Sequence, residues 1–187
     1  MKLNELISRL RKPLVVGSQD VDVLGVTSDS RQVEEGFIFV AVRGTELDGR
    51  RFIGAAVEAG AAVIVSETPA ETGDPGHVTW VQVADSRGAL SALAAGFAGD
   101  PSRDLKLVGV TGTNGKTTTG FLCHHVMKSV WHRAGLLGTV LMDDGDSAVE
   151  ASHTTPDAVD LQGLMARMVG NGCRGAALEV SSHGIDQ

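Results

Sequence analysis

Leu105-Lys106-Leu107-Val108-Gly109-Val110-Thr111-Gly112-Thr113-Asn114-Gly115-Lys116-Thr117-Thr118-Thr119 is the stretch that decides the fold class. Residues 105–110 are mostly apolar and read as a buried strand; the glycines then break it, and residues 117–134 read as a helix. A strand that enters a helix through a glycine-rich turn gathers backbone N–H groups around an anion. In that context Lys116 reaches the β- and γ-phosphates of a nucleotide, and the Thr117 hydroxyl sits on Mg2+. The spacing departs from a strict G-x-x-x-x-G-K-[ST], because Val110 stands where the first glycine belongs. The strand-to-helix context still makes this a nucleotide-phosphate site.

Working outward, residues 136–142 read as the next strand and 143–150 as an acidic hairpin-like stretch. Thr155-Pro156 opens a helix with Leu161, Leu164, Met165, Met168 and Val169 turned inward, and residues 176–180 form another strand. Towards the N-terminus, residues 3–10 predict a short helix ended by Pro13, and strands are predicted over 21–26, 37–42 and 78–83. Asp85 or Ser86 caps a helix whose buried face is Leu90, Leu93, Ala94 and Phe97. Strands and helices in alternation, with near-continuous apolar strands, argue for parallel α/β layers. The second block offers about three parallel strands before Gln187, so the expectation is a sheet with bare apolar faces, as in a chain cut inside a domain.

Composition narrows the partners. The 187 residues carry 16 basic and 23 acidic side chains, a net charge of −7, with no basic block, which argues against a nucleic-acid backbone binder. Two cysteines make no disulfide framework, and no apolar run is long enough to cross a membrane. The first 14 residues lack an apolar signal-peptide core, so a cytoplasmic protein that binds no membrane is expected.

Three features remain open on residue type alone. Glu179, near the end of an apolar strand, is either a Mg2+ ligand beside the phosphate loop or a solvated carboxylate on an edge strand. Ser28-Asp29-Ser30-Arg31 is either a sugar-nucleotide contact or a turn that ends a strand, and residues 44–52 pose the same choice. Cys123, His124 and His125 do not converge on one ion, since consecutive helix residues diverge by about 100°. His183 beside Ser181 and Ser182 lacks the nucleophile elbow of a hydrolase.

The loop Gly112-Thr113-Asn114-Gly115-Lys116-Thr117-Thr118 is similar to the phosphate loop of the Mur ligase superfamily, which includes the folylpolyglutamate synthetases. Ser28-Asp29-Ser30-Arg31, with Gly44, Asp48, Gly49 and Phe52, resembles the uridine-nucleotide domain of the muramyl ligases. Thr154-Thr155-Pro156 and Glu179-Val180-Ser181-Ser182-His183-Gly184-Ile185-Asp186-Gln187 resemble the members that add the third residue of the peptidoglycan stem peptide. The resemblance covers essentially the whole chain.

It implies a small N-terminal α/β UDP-binding domain over 1–85, then the first part of a P-loop, mostly parallel-sheet ATP-binding domain over 86–187. The implied UDP contacts are Ser28 and Ser30, with Thr45, Glu46 and Leu47 in the neighbouring loop. Gly112, Thr113, Asn114, Gly115, Lys116, Thr117 and Thr118 would cradle ATP, and Thr117 with Glu179 would hold Mg2+. Lys116 and Glu179 are the implied catalytic residues, while Thr154, Thr155, Ser181 and Gln187 would bind the muramyl dipeptide. The implied reaction joins diaminopimelate or lysine to UDP-N-acetylmuramoyl-L-Ala-D-Glu through an acyl phosphate, in a monomeric enzyme. The family's carbamylated lysine, second-metal histidine and amino-acid-binding domain have no counterpart here, so the chain alone is expected to be inactive. The competing expectations are a sister ligase of the fourth-step, folate or cyanophycin type, a non-catalytic sugar-nucleotide module, and a small P-loop kinase.

Overall fold

In chain order the first unit contains α1 (Leu3–Ile7), β1 (Leu14–Val16), β2 (Gly25–Thr27), β3 (Phe37–Val40), α2 (Ile53–Glu58), β4 (Val63–Ser66), β5 (Thr79–Gln82) and α3 (Ser86–Phe97). The computed structural model describes residues 1–44, 48–69, 78–151 and 156–181, and the chain divides into two units, Met1–Phe97 and Ala98–Gln187. Strands β2, β3, β4 and β5 pair in parallel, and β1 adds antiparallel to the free side of β5.

The sequences Phe-Ile-Phe-Val of β3 and Val-Ile-Val-Ser of β4 lack a polar alternation, so both faces of this sheet need cover. One face gathers Phe39, Ala41, Ile64 and Trp80 around Val33, Ala56 and Ala61. The alternate set, Ile38, Val40, Val63 and Val65, is fully buried too, and α3 packs against β2, β3 and β4. Asp85 Oδ1 starts α3 by accepting the N–H groups of Arg87 and Gly88, each at 3.0 Å. Because Leu90, Leu93 and Ala94 are buried in this first core, the boundary expected after residue 85 falls after Phe97 instead.

The second unit contains β6 (Lys106–Val110), α4 (Lys116–Trp131), β7 (Gly135–Leu137), β8 (Leu141–Asp143), β9 (Ala148–Glu150), α5 (Ala158–Gly170) and β10 (Gly175–Glu179). Its sheet has the order β6-β10-β7-β8-β9, parallel across the first three strands and antiparallel across the last three. The mostly parallel sheet of expectation is therefore mixed. Helix α5 seals one side, with Leu164, Met165 and Met168 against Leu137 and Ala176, while α4 packs on β6, β7 and β10. Leu122, Val126 and Val130 lie exposed along α4, and Leu107 and Val108 are exposed on β6 at the edge of the sheet. Among the described residues, no helix is long and apolar enough to cross a membrane.

The start of α5 is fixed by Asp157, whose Oδ1 accepts the N–H groups of Val159 at 2.9 Å and Asp160 at 2.8 Å. Replacing Asp157 with alanine leaves both donors to water and should destabilise the second unit by about 1 kcal/mol. Urea unfolding of the wild type and the variant checks this, and coincident transitions would contradict it.

Local departures from expectation have clear causes. The single strand predicted over 136–142 is two strands, because the chain reverses at 138–140 and Gly138 N–H bonds Leu141 O at 3.1 Å. The strand predicted over 21–26 is confined to Gly25–Thr27, since Val23 N–H is taken by Met1 O at 2.8 Å. Helix α4 stops at Trp131, where His132 takes a positive φ of 65°, three residues short of the predicted end.

Candidate functional site

The loop between β6 and α4 is shaped by two glycines in backbone conformations that side chains rarely adopt, Gly112 at φ +140° and Gly115 at φ +78°. Gly115 ends the loop directly at Lys116, the first residue of α4, so the unpaired N–H groups of the first turn and the positive end of the helix dipole meet there. Lys116 Nζ donates to Gly112 O at 2.7 Å, which folds the side chain back over the loop.

Glu179 ends β10, the strand beside β6, and is only 2% exposed. Its carboxylate accepts three bonds: Oε2 from Thr117 Oγ1 at 2.9 Å and Thr139 Oγ1 at 3.1 Å, and Oε1 from Thr139 N at 3.1 Å. None of these partners carries a positive charge. A buried carboxylate held by neutral donors, one of them the first-turn hydroxyl of a phosphate-loop helix, is the donor set that a hard divalent cation takes. The reading of Glu179 as a solvated edge carboxylate is excluded, because β10 is flanked by β6 and β7 and the side chain is buried.

Thr139 was not singled out from sequence; the Gly138-Thr139 pair interrupting an apolar run is the signal that could have pointed to the turn that delivers it. A Cβ at Gly138 would lie 2.6 Å from Glu179 Oε1, so a side chain there would push the carboxylate out of this position. Gly120 of α4 lies on the other side of the carboxylate, where a Cβ would sit at ordinary contact distance, 3.5 Å from Glu179 Cγ.

The first unit carries a separate polar edge. Ser28 and Ser30 follow β2, and residues 41–44 follow the neighbouring parallel β3, so both segments leave the carboxyl end of the sheet, where ligands of open α/β sheets bind. Two Asp-x-Arg turns shape it. Asp29 accepts Arg31 N at 3.0 Å and takes the Arg31 guanidinium at 2.6 Å, while Asp48 accepts Arg50 N at 3.0 Å and pairs with the Arg50 guanidinium. The side-chain bond from Arg50, helped by its backbone N–H, lowers the Asp48 carboxyl to about 2. Arg31 holds Asp29 below the usual carboxylate range in the same way. Ser181 is half-buried just past β10. Thr45, Glu46, Leu47, Thr154, Thr155 and Gln187 lie outside the described residues, and of the Cys123-His124-His125 run only His124 is buried.

Two family descriptions match the chain: "Mur ligase family, catalytic domain" over residues 22–98 and "Mur ligase middle domain" over residues 110–187. The chain belongs to the Mur ligase family. Among Mur ligases it is 47% identical, over 188 residues, to the UDP-N-acetylmuramoyl-L-alanyl-D-glutamate--2,6-diaminopimelate ligase of Parabacteroides distasonis, matching 100% of this chain and 38% of that protein. The ligase of the same name from Bacillus cereus is 40% identical, matching 100% of this chain and 37% of that protein. The chain thus spans less than two-fifths of these relatives. A solved Mur ligase, also described as a UDP-N-acetylmuramoyl-L-alanyl-D-glutamate--2,6-diaminopimelate ligase, superposes with a TM-score of 0.78 at 29% identity, over 100% of this chain and 37% of its own. The Thermotoga maritima MurF ligase, solved in complex with ADP, superposes at 0.53 with 27% identity over 84% of this chain and 32% of its own.

Proposed function

We propose that this chain supplies the uridine-nucleotide-binding unit and part of the ATP-binding unit of a ligase that extends the peptidoglycan stem peptide. The observation that carries the reading is the bond from Thr117 Oγ1 to the buried Glu179 carboxylate, directly behind the phosphate loop. The substrates are ATP, UDP-N-acetylmuramoyl-L-Ala-D-Glu and an amino acid; the names of the relatives favour diaminopimelate as the last of these.

In this reading Lys116 and the first-turn N–H groups of α4 bind the β- and γ-phosphates, and the helix dipole favours the negative charge that gathers there. Thr117 and Glu179 would hold Mg2+, which when bound would neutralise charge on the transferring phosphoryl group. The substrate carboxylate takes the γ-phosphoryl group, ADP leaves, and the incoming amine displaces phosphate to form the amide. Ser28, Ser30 and the loop of Thr45, Glu46 and Leu47 receive the uridine nucleotide, while Thr154, Thr155, Ser181 and Gln187 receive the muramyl dipeptide.

A calorimetric titration of ADP into the folded chain tests the nucleotide half of the reading. Saturable binding that tightens when Mg2+ replaces EDTA is the expected result. A folded chain that takes up no ADP under either condition would overturn it.

A further inference from the structure

Helix α4 and the ribbon formed by β7 and β8 are joined twice. One junction is Glu179, which links Thr117 on α4 to Thr139 in the turn of the ribbon. The other is Asp143 at the end of β8, 7% exposed, facing His124 of α4, also 7% exposed. His124 Nε2 lies 3.3 Å from Asp143 Oδ2 and 3.1 Å from Ala134 O, so with two oxygen acceptors beside it this nitrogen carries the hydrogen. Lys128, one turn further along the same helix face, donates from Nζ to Asp143 Oδ2 at 3.1 Å.

These contacts close a ring: Thr117, Glu179, Thr139, along β8 to Asp143, across to His124, and back down α4 to Thr117. Its rungs are a helix and a two-stranded ribbon, so fixing one end restricts the other. The Asp143 contacts to α4 are not what shapes the following hairpin. The hairpin is shaped by both acids: Asp143 Oδ1 accepts the N–H of Gly145 at 2.8 Å, and Asp144 Oδ1 accepts those of Asp146 at 3.1 Å and Ser147 at 2.9 Å, so Asp144→Ala is the control for a loosened hairpin. The Lys128–Asp143 pair, with its lysine side chain 44% exposed, adds little net stability. Its effect here is geometric.

We propose that Asp143, gripped by His124 and Lys128, is a positioning residue that sets the first turn of α4 and the 138–140 turn at the spacing at which Thr117, Thr139 and Glu179 form one divalent-cation and phosphate site. This rests on the nucleotide-binding reading above. It extends the site to residues that touch neither nucleotide nor metal and act as an outer shell does for a metal ligand.

The test is the ratio of ADP affinities with Mg2+ and with EDTA, measured for the wild type, Asp143→Ala, Asp144→Ala and Lys128→Met. Loss of an outer-shell partner should cut the Mg2+-dependent gain about tenfold in Asp143→Ala, with EDTA affinity unchanged. Lys128→Met should lose part of the gain, and Asp144→Ala, on the same hairpin without a contact to α4, should keep all of it. A wild-type ratio in Asp143→Ala, or an equal loss in Asp144→Ala, would overturn the proposal alone. A wild-type chain that binds no ADP would overturn both this and the reading it rests on. Should Asp143→Ala lose its circular-dichroism signature, Lys128→Met decides, because the Lys128 side chain is 44% exposed and its replacement opens no core cavity. An unchanged ratio there contradicts the positioning role.

Discussion

Replacing Lys116 with alanine is expected to weaken ADP binding about 100-fold while leaving the thermal unfolding of the chain unchanged. The fold tolerates the change because the side chain makes a single exposed bond, to Gly112 O, and its backbone begins α4 with or without the amine. The binding loss follows from charge: a hydrogen bond to an ionised partner is worth about 1.5–3 kcal/mol, and the ammonium also neutralises the phosphates it touches. At about 1.4 kcal/mol per decade of affinity, the upper part of that range corresponds to about two decades. Titration calorimetry reads the affinity and differential scanning calorimetry the stability. Unchanged ADP affinity in a folded Lys116→Ala chain would mean that the loop is a structural turn carrying an incidental lysine.

The second large effect is on metal dependence. Glu179→Gln keeps the shape of the buried group: the amide oxygen still accepts from Thr139 N–H, and the amide nitrogen can donate to the hydroxyls of Thr117 and Thr139. The hydrogen-bonded clasp persists and the charge is gone. A hard divalent cation needs that charge, so Mg2+ should lose most of its effect on ADP affinity, a loss on the order of 10–100-fold. Affinity in EDTA should stay at the wild-type value or rise slightly, because a negative charge has left the neighbourhood of the phosphates. If Glu179 served only to tie α4 to the ribbon, the glutamine variant would retain full Mg2+ dependence. The comparison therefore separates a ligand from a structural clasp.

Much of this site was readable from the chain because its main signals are local. Gly112, Gly115 and Lys116 sit within five residues, and a strand-to-helix context needs only hydrophobic periodicity on either side. Glu179 was visible as a carboxylate on an apolar strand, but its burial was not, since burial depends on β10 lying between β6 and β7, a pairing between segments about 70 residues apart in a sheet whose order the sequence leaves open. Thr139 was hidden for a related reason. Residues 136–142 are apolar enough to pass for one strand, and the reversal at 138–140 shows only in the antiparallel pairing of β8 with β7. The unit boundary was misplaced by the same kind of long-range effect. Helix α3 has an amphipathic face that suits either neighbour, and its contacts with β2, β3 and β4 assign it to the first sheet. His124 was legible only as one of three helix residues that do not converge on an ion, because Asp143 meets it only once β8 has folded back along β7.

The most direct test of the muramyl-ligase reading is a calorimetric titration of UDP-N-acetylmuramoyl-L-Ala-D-Glu into the folded chain, repeated with saturating UDP. The account predicts saturable binding that UDP competes away, with the sites on the carboxyl edge of the first sheet around Ser28 and Ser30. A folded chain that binds ADP with Mg2+ but shows no heat with the UDP-muramyl dipeptide would contradict it, and would leave a phosphate-loop protein that acts on a different acid.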